Sequence, residues 1–221
     1  MQSQILEALL DSAECAWSLG GVLTGRPSTA RPGMPTLAMD HLHLFRAGDR
    51  QAALTDVREW IRANAIEYMI ISDPYFSIAE LGLLMAVPAE VEVRILASLR
   101  AQRGLSDSKA PPAVDLPRIY ATAWKQLTDL EPPPTIVSVV GTKSGKSPLH
   151  DRYILTNGSG LRLGVSVSSL GLRDTEVSVL SAEESRYIES EFVRPWLAGP
   201  RLVFQGERLI VVTFPLGEES D

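Results

Sequence analysis

The sequence predicts an α/β fold in which helices sandwich a mixed β-sheet. Three observations predict it. Short apolar runs alternate with amphipathic stretches through the first half of the chain, which is the pattern of strands crossing over through helices. Two further apolar runs, 153–156 and 161–167, flank Asn157-Gly158-Ser159-Gly160 and read as strands joined by a tight turn. At 221 residues the chain is long enough for one sizeable core, and no internal repeat divides it.

Taken in order, residues 4–19 read as a helix with Ile5, Leu6, Leu9, Leu10 and Trp17 on its apolar side, ended by Gly20-Gly21. Residues 26–35 carry three prolines with Gly, Ser and Thr, a linker composition. Residues 1–36 are therefore an arm outside a main domain of residues 37–221. The arm's apolar side packs either on its own domain or on a partner protein. His41 and His43 alternate with leucines, as on a half-exposed strand, and lack metal-site spacing.

Residues 49–64 place Ala53, Leu54, Val57, Trp60 and Ile61 at helical spacing. Residues 68–72 form a buried strand broken by Asp73-Pro74, where Asp73 is either a site carboxylate or a turn former. Ser77 and Glu80 make a capping box that opens a helix to about Val87. A strand follows at 91–98, then a polar loop at 100–115, a helix at 116–130 stopped by Pro132-Pro133-Pro134, and a strand at 135–140. Beyond the hairpin come a strand at 176–181, a helix at 183–197, and strands 201–204 and 208–214 paired across Gln205-Gly206-Glu207. Trp60, Trp124 and Trp196 fall on helical apolar faces and are core residues rather than base-stacking ones.

A net charge of −6 argues against broad adhesion to nucleic acid or anionic membrane, while leaving room for a local basic patch. The single cysteine, Cys15, forms no internal disulfide, and no run reaches the length of a membrane span. These features lead us to expect a cytoplasmic protein.

The chemistry concentrates in the hairpin. His150 and Arg152 lie two apart, so on a strand they share a face, and Ser166 and Ser168 share one on the second strand. Imidazole attacks or transfers a proton near neutral pH, and guanidinium grips phosphate through two parallel hydrogen bonds. The plainer alternative is a hydrogen-bonded histidine and a surface arginine. Gly141-Thr-Lys-Ser-Gly145-Lys146-Ser147 is one residue short of a P-loop and runs into Pro148 rather than a helix. It reads as a basic loop whose Lys143 and Lys146 help to hold a polyanion.

This segment resembles the phospholipase D superfamily, whose motif is H-x-K-x-x-x-x-D, then a Gly-Ser-x-Asn-like stretch and a later Glu. His150 matches the His, Arg152 stands at the Lys and Asn157 at the Asp. Gly164 and Ser166 resemble the small-residue stretch, Ser168 falls near its Asn, and Glu176 falls near the Glu. The wording around the motif is similar to divergent bacterial members and to the phospholipase D-like domain of eukaryotic midbody-type MIT proteins. Residues 70–76 also look like the strand and turn of those members, and the resemblance spans roughly residues 40 to 200.

The resemblance implies a phospholipase D-like sandwich with one motif per chain and a catalytic set of His150, Arg152, Asn157, Ser166 and Glu176. It implies a phosphate-binding set of His150, Arg152, Ser166, Ser168 and Lys146, with neither metal nor cofactor. Because the chemistry needs two histidines, it further implies a symmetric homodimer. One His150 would attack phosphorus and its copy would protonate the leaving oxygen, giving a phosphodiesterase or nuclease. Arg152 would stabilise the phosphoryl charge, Ser166 and Ser168 would orient oxygens, and Glu176 would orient a histidine. Exchange of Lys for Arg and Asp for Asn implies the alternative, a catalytically reduced module. Such a module would bind a phosphate-bearing ligand or a protein partner within a larger bacterial system.

Overall fold

A computed structural model describes residues 42–103, 105, 115–198 and 203–217. The arm at 1–36, His41 and most of the 100–115 loop lie outside the described residues. Strands are β1 (Leu42–Phe45), β2 (Tyr68–Ser72), β3 (Glu92–Ser98), β4 (Thr135–Thr142), β5 (Arg152–Thr156), β6 (Ser159–Leu163), β7 (Thr175–Leu180), β8 (Val203–Phe204) and β9 (Glu207–Pro215). Helices are α1 (Arg50–Asn64), α2 (Leu116–Leu127) and α3 (Ala182–Ile188). The last runs on through a π turn, Glu189–Val193, into α4 (Arg194–Leu197). Among the described residues, no helix is long and apolar enough to cross a membrane.

The described strands form a nine-stranded sheet in the order β1-β7-β6-β5-β2-β3-β4-β9-β8. Only β2-β3 and β3-β4 pair in parallel; every other pairing is antiparallel. Alternation splits each central strand between two cores. Met69, Ile71, Val93, Ile95, Val137, Val139 and Ile154 face the layer of α1 and α2. Ile70, Leu96, Val140, Tyr153 and Leu155 face Ile188 and Val193 of the α3 side. The sheet is thus covered on both faces, which is why β2 reads as a continuous apolar run, whereas β3 begins by alternating through exposed Glu92 and Arg94 before Ile95, Leu96 and Ala97 are buried in succession.

The Asn157-Gly158 turn is two residues long, with Thr156 opposite Ser159, and Gly158 takes a φ of 88°. Gln205-Gly206 turns β8 into β9 in the same way, with φ values of 49° and 77°. Ser77 and Glu80 form the expected capping box, but Ile78–Ala86 winds as a 3-10 segment. Ile78, Leu81 and Leu84 recur every third residue and all are buried, so the tighter winding stacks them on one side.

The second hairpin strand departs from expectation. It ends at Leu163, and Ser166 instead begins a 3-10 turn at Val167–Ser169. The Asp73 carboxylate causes the break. One oxygen accepts from the Ser166 hydroxyl (2.8 Å) and the Tyr75 amide (2.9 Å), and the other accepts from the Val167 amide (3.0 Å). These bonds are possible only if the chain leaves the ladder after Leu163. The segment is clamped again further on. Arg50 donates to the carbonyl of Ser168 (2.6 Å), and the Gly48 amide donates to the carbonyl of Gly171 (2.8 Å).

Gly171 has a φ of 66°, and a Cβ there would lie 2.4 Å from the Arg50 Cα. Gly171→Ala adds left-handed strain to a backbone clash, and urea denaturation should show a loss of about 3 kcal/mol or more. Buried Glu80 generates a pH prediction. Burial pushes its carboxyl from 4.5 up to about 7, although the Ser77 hydrogen bonds pull the other way. A carboxyl raised on folding contributes stability below its unfolded pKa and loses that contribution as pH rises through its folded one. Between about pH 4.5 and 7 the wild type should therefore fall relative to Glu80→Gln, by on the order of 3 kcal/mol. Parallel urea titrations of the two proteins check this.

Candidate functional site

Strand direction brings the chemistry to one rim of the sheet. The C-terminal ends of β2, β3 and β4 lie beside the starts of β5, β7 and β9 and the ends of β1 and β6. Ligands of open α/β sheets characteristically bind at such a rim. It carries Arg152, His150, Asp73, Tyr75, Ser166 and Glu176.

Arg152 opens β5 and is half-buried. Its guanidinium carbon lies 5.5 Å from the centroid of the Tyr75 ring, a cation–π arrangement. Its Nε is buried without a hydrogen-bond partner, and no carboxylate among the described residues pairs with it. A cation drawn partly out of water with an unsatisfied donor is costly unless an anion meets it.

Beneath this shelf Asp73, 1% exposed, locks Tyr75 and Ser166 in place. Asp73 therefore both shapes the turn and organises the site, and Tyr75 is the member that sequence reasoning did not weigh. The available signal was an aromatic two residues after a buried Asp-Pro break.

The structure separates His150 from Arg152. β5 begins at Arg152, so His150 lies in the preceding loop rather than on a shared strand face. It lines a small groove with Ser72, Tyr153, Phe192 and Trp196 on the α3 side, whereas Arg152 alternates with Ile154 toward the other layer. The His150 side chain is 89% exposed, with Asp151 Oδ1 3.1 Å from its Nδ1. A hydrogen on Nδ1 would leave Nε2 as a free base pointing away from that carboxylate.

Other expected members are also dispersed. Ser166 and Ser168 share no strand face: Ser166 is spent on Asp73, and Ser168 lines a separate small cavity with Arg50, Arg58 and Glu80. Asn157 occupies the hairpin turn at the far end of β5, roughly 17 Å from the rim at about 3.4 Å per residue, so it touches nothing held by Arg152. Glu176 lies two strands from β5 and lines a 480 Å³ cleft with Leu44, Arg46 and Asp174 instead of facing His150. Lys146 pairs with Glu207 at 3.0 Å, and Lys146 and Ser144 hold the Glu207 carboxyl down to about 2. The P-loop-like stretch is the end of β4 and a turn, with no helix after it. His43 sits half-exposed on β1, 3.6 Å from Asp56, and Trp124 is buried in the core as expected.

No family model and no curated protein matches this chain. Several solved structures are similar to it in shape. TrmBL2, an archaeal chromatin protein whose structure shows a mode of DNA binding, gives a TM-score of 0.43 at 11% identity, covering 95% of this chain and 67% of that one. NucT from Helicobacter pylori gives 0.41 at 14% identity, covering 71% and 95%. Phosphatidylserine synthase from Haemophilus influenzae gives 0.51 at 17% identity, covering 82% of this chain but only 40% of the synthase. At that identity the likeness to the synthase is one of fold. With the mixed sheet and its two covered faces, it shows a phospholipase D-like α/β sandwich.

Proposed function

We propose that this chain is a phosphodiester-site protein of phospholipase D-like fold that binds a phosphate-bearing ligand at Arg152. The observation that carries this reading is the half-buried guanidinium on Tyr75 with an orphaned Nε and no carboxylate among the described residues. A phosphate arriving at the rim supplies the missing countercharge and accepts from the fork. Ser166 cannot add a hydroxyl while Asp73 holds it, so Arg152 is the principal contact. Calorimetry with inorganic phosphate should detect binding by wild type and a loss of at least about tenfold in Arg152→Ala, with little change in Tm. A large fall in Tm with phosphate affinity intact would make Arg152 structural.

A second reading is favoured by the free ring of His150. In a symmetric homodimer, two exposed His150 side chains could be set against one another, each steadied by its own Asp151, as nucleophile and acid. Cleavage of an activated phosphodiester should then persist in EDTA and vanish in His150→Ala. Mixing wild-type and His150→Ala chains should lower activity more than dilution does, because each mixed dimer lacks one role. Phosphate binding without turnover of any phosphodiester at high protein concentration would leave the binding reading alone.

A further inference from the structure

We propose that the rim is a linear phosphate track with Arg152 at one end, and that its ligand is single-stranded nucleic acid. This rests on reading Arg152 as a phosphate contact. The sheet order sets β5, β2, β3 and β4 side by side. Beyond Arg152, the chain leaving β3 carries Arg100 and Arg103, and the chain leaving β4 carries Lys143. All three are exposed, and no carboxylate among the described residues pairs with them. The β4 turn is shaped around one of them: Gly145, with a φ of 89°, lies beneath the Arg103 guanidinium, where a Cβ would come within 2.7 Å of Nη1. Glycine at this position lets Arg103 lie across the turn that carries Lys143.

Nearby acids are already engaged. Glu207 holds Lys146 and Ser144, buried Asp73 is spent on its three donors, and Asp151 contacts His150 and lines the groove on the α3 side, away from the layer that Arg152 faces. On the other side of β5, Arg46 is paired with Asp174, and exposed Glu176 would repel an anion. Uncompensated positive charge therefore runs from Arg152 toward β4, within a chain of net charge −6.

Three strand spacings of about 4.8 Å make this stretch roughly 14 Å long. A single phosphate, with hydrogen-bond reach near 3 Å, cannot touch both ends. A chain of repeated phosphates can. Tyr75 sits where the track begins, 55% exposed, so part of its ring remains open beside the guanidinium. Cations in line with an exposed aromatic platform suit a strand whose bases are free to stack.

Fluorescence anisotropy of the full chain with a labelled single-stranded oligonucleotide, read across salt concentrations, tests this. Three or four phosphate contacts at about 0.7 each predict a slope of log affinity against log salt of about −2 to −3. Neutralising Arg100, Arg103 and Lys143 together to Gln should weaken the oligonucleotide at least about tenfold and flatten the slope to about −0.7. Affinity for inorganic phosphate should be unchanged. A wild-type slope near −0.7, an unaffected triple variant, equal affinity for a duplex of the same length, or preference for vesicles bearing phosphorylated headgroups would each overturn the track. Absence of inorganic phosphate binding by wild type would instead overturn the reading of Arg152 beneath it.

Discussion

A carboxylate removed from water must be met by donors or it destabilises the fold around it. Asp73 is met by three: a side-chain hydroxyl and a backbone amide from one segment, Ser166 and Val167, 93 and 94 residues beyond it, and the amide of Tyr75 just after it. Those bonds fix where β6 must stop, which way Ser166 turns and where the Tyr75 backbone sits. The Arg50 and Gly48 clamps then hold the far end of the same segment against the start of α1. Removing the carboxylate would leave buried amides without partners on both sides of the rim, so the arrangement of the site depends on this group.

With that turn in place, strand direction does the rest. The parallel run β2-β3-β4 delivers its C-terminal ends to one rim, and the antiparallel neighbours return their starts to the same place. Residues from distant parts of the sequence therefore converge there. The strands' length equally keeps some residues apart. Asn157 follows Arg152 by only five positions, yet the extended backbone carries it to the opposite edge. Alternation separates two others: Tyr153 and the groove containing His150 lie on the α3 side, and Arg152 lies toward α1 and α2.

What was legible in the sequence was whatever local chemistry determines. The Asn157-Gly158 turn, the Ser77–Glu80 box, the apolar run of β2, the alternation that opens β3 and the spacing of α1 each encode their structure within a few residues. Reading β6 as continuing to Val167 failed because apolar alternation in 161–167 is locally sound, and the group that overrides it is distant in sequence. The same limit placed His150 on a strand. Nothing in Leu149-His150-Asp151 shows that pairing with Leu163 begins only at Arg152. The winding of Ile78–Ala86 was visible in hindsight through its period of three, which short helical segments share closely with a period of 3.6.

An arginine rather than a lysine at position 152 acquires a physical meaning from Tyr75. An ammonium is a compact, strongly hydrated charge that does not stack, whereas a planar guanidinium can lie on a ring and still present a fork to a phosphate. Half-burial is also easier for the more weakly hydrated guanidinium, provided that an anion completes its hydrogen bonds. Tyr75, in turn, is placed by the hydrogen bond that its backbone amide donates to the Asp73 carboxylate. Buried carboxylate, aromatic shelf and stacked cation are therefore successive parts of one device, of which the last lacks a partner within the described chain. A rigid, preformed cation of this kind is suited to holding a phosphate in fixed orientation. On the proposed reading, whether that phosphate is also cleaved depends on a second chain setting its His150 against this one, since within one chain the groove lined by His150 and the Arg152 guanidinium face different layers.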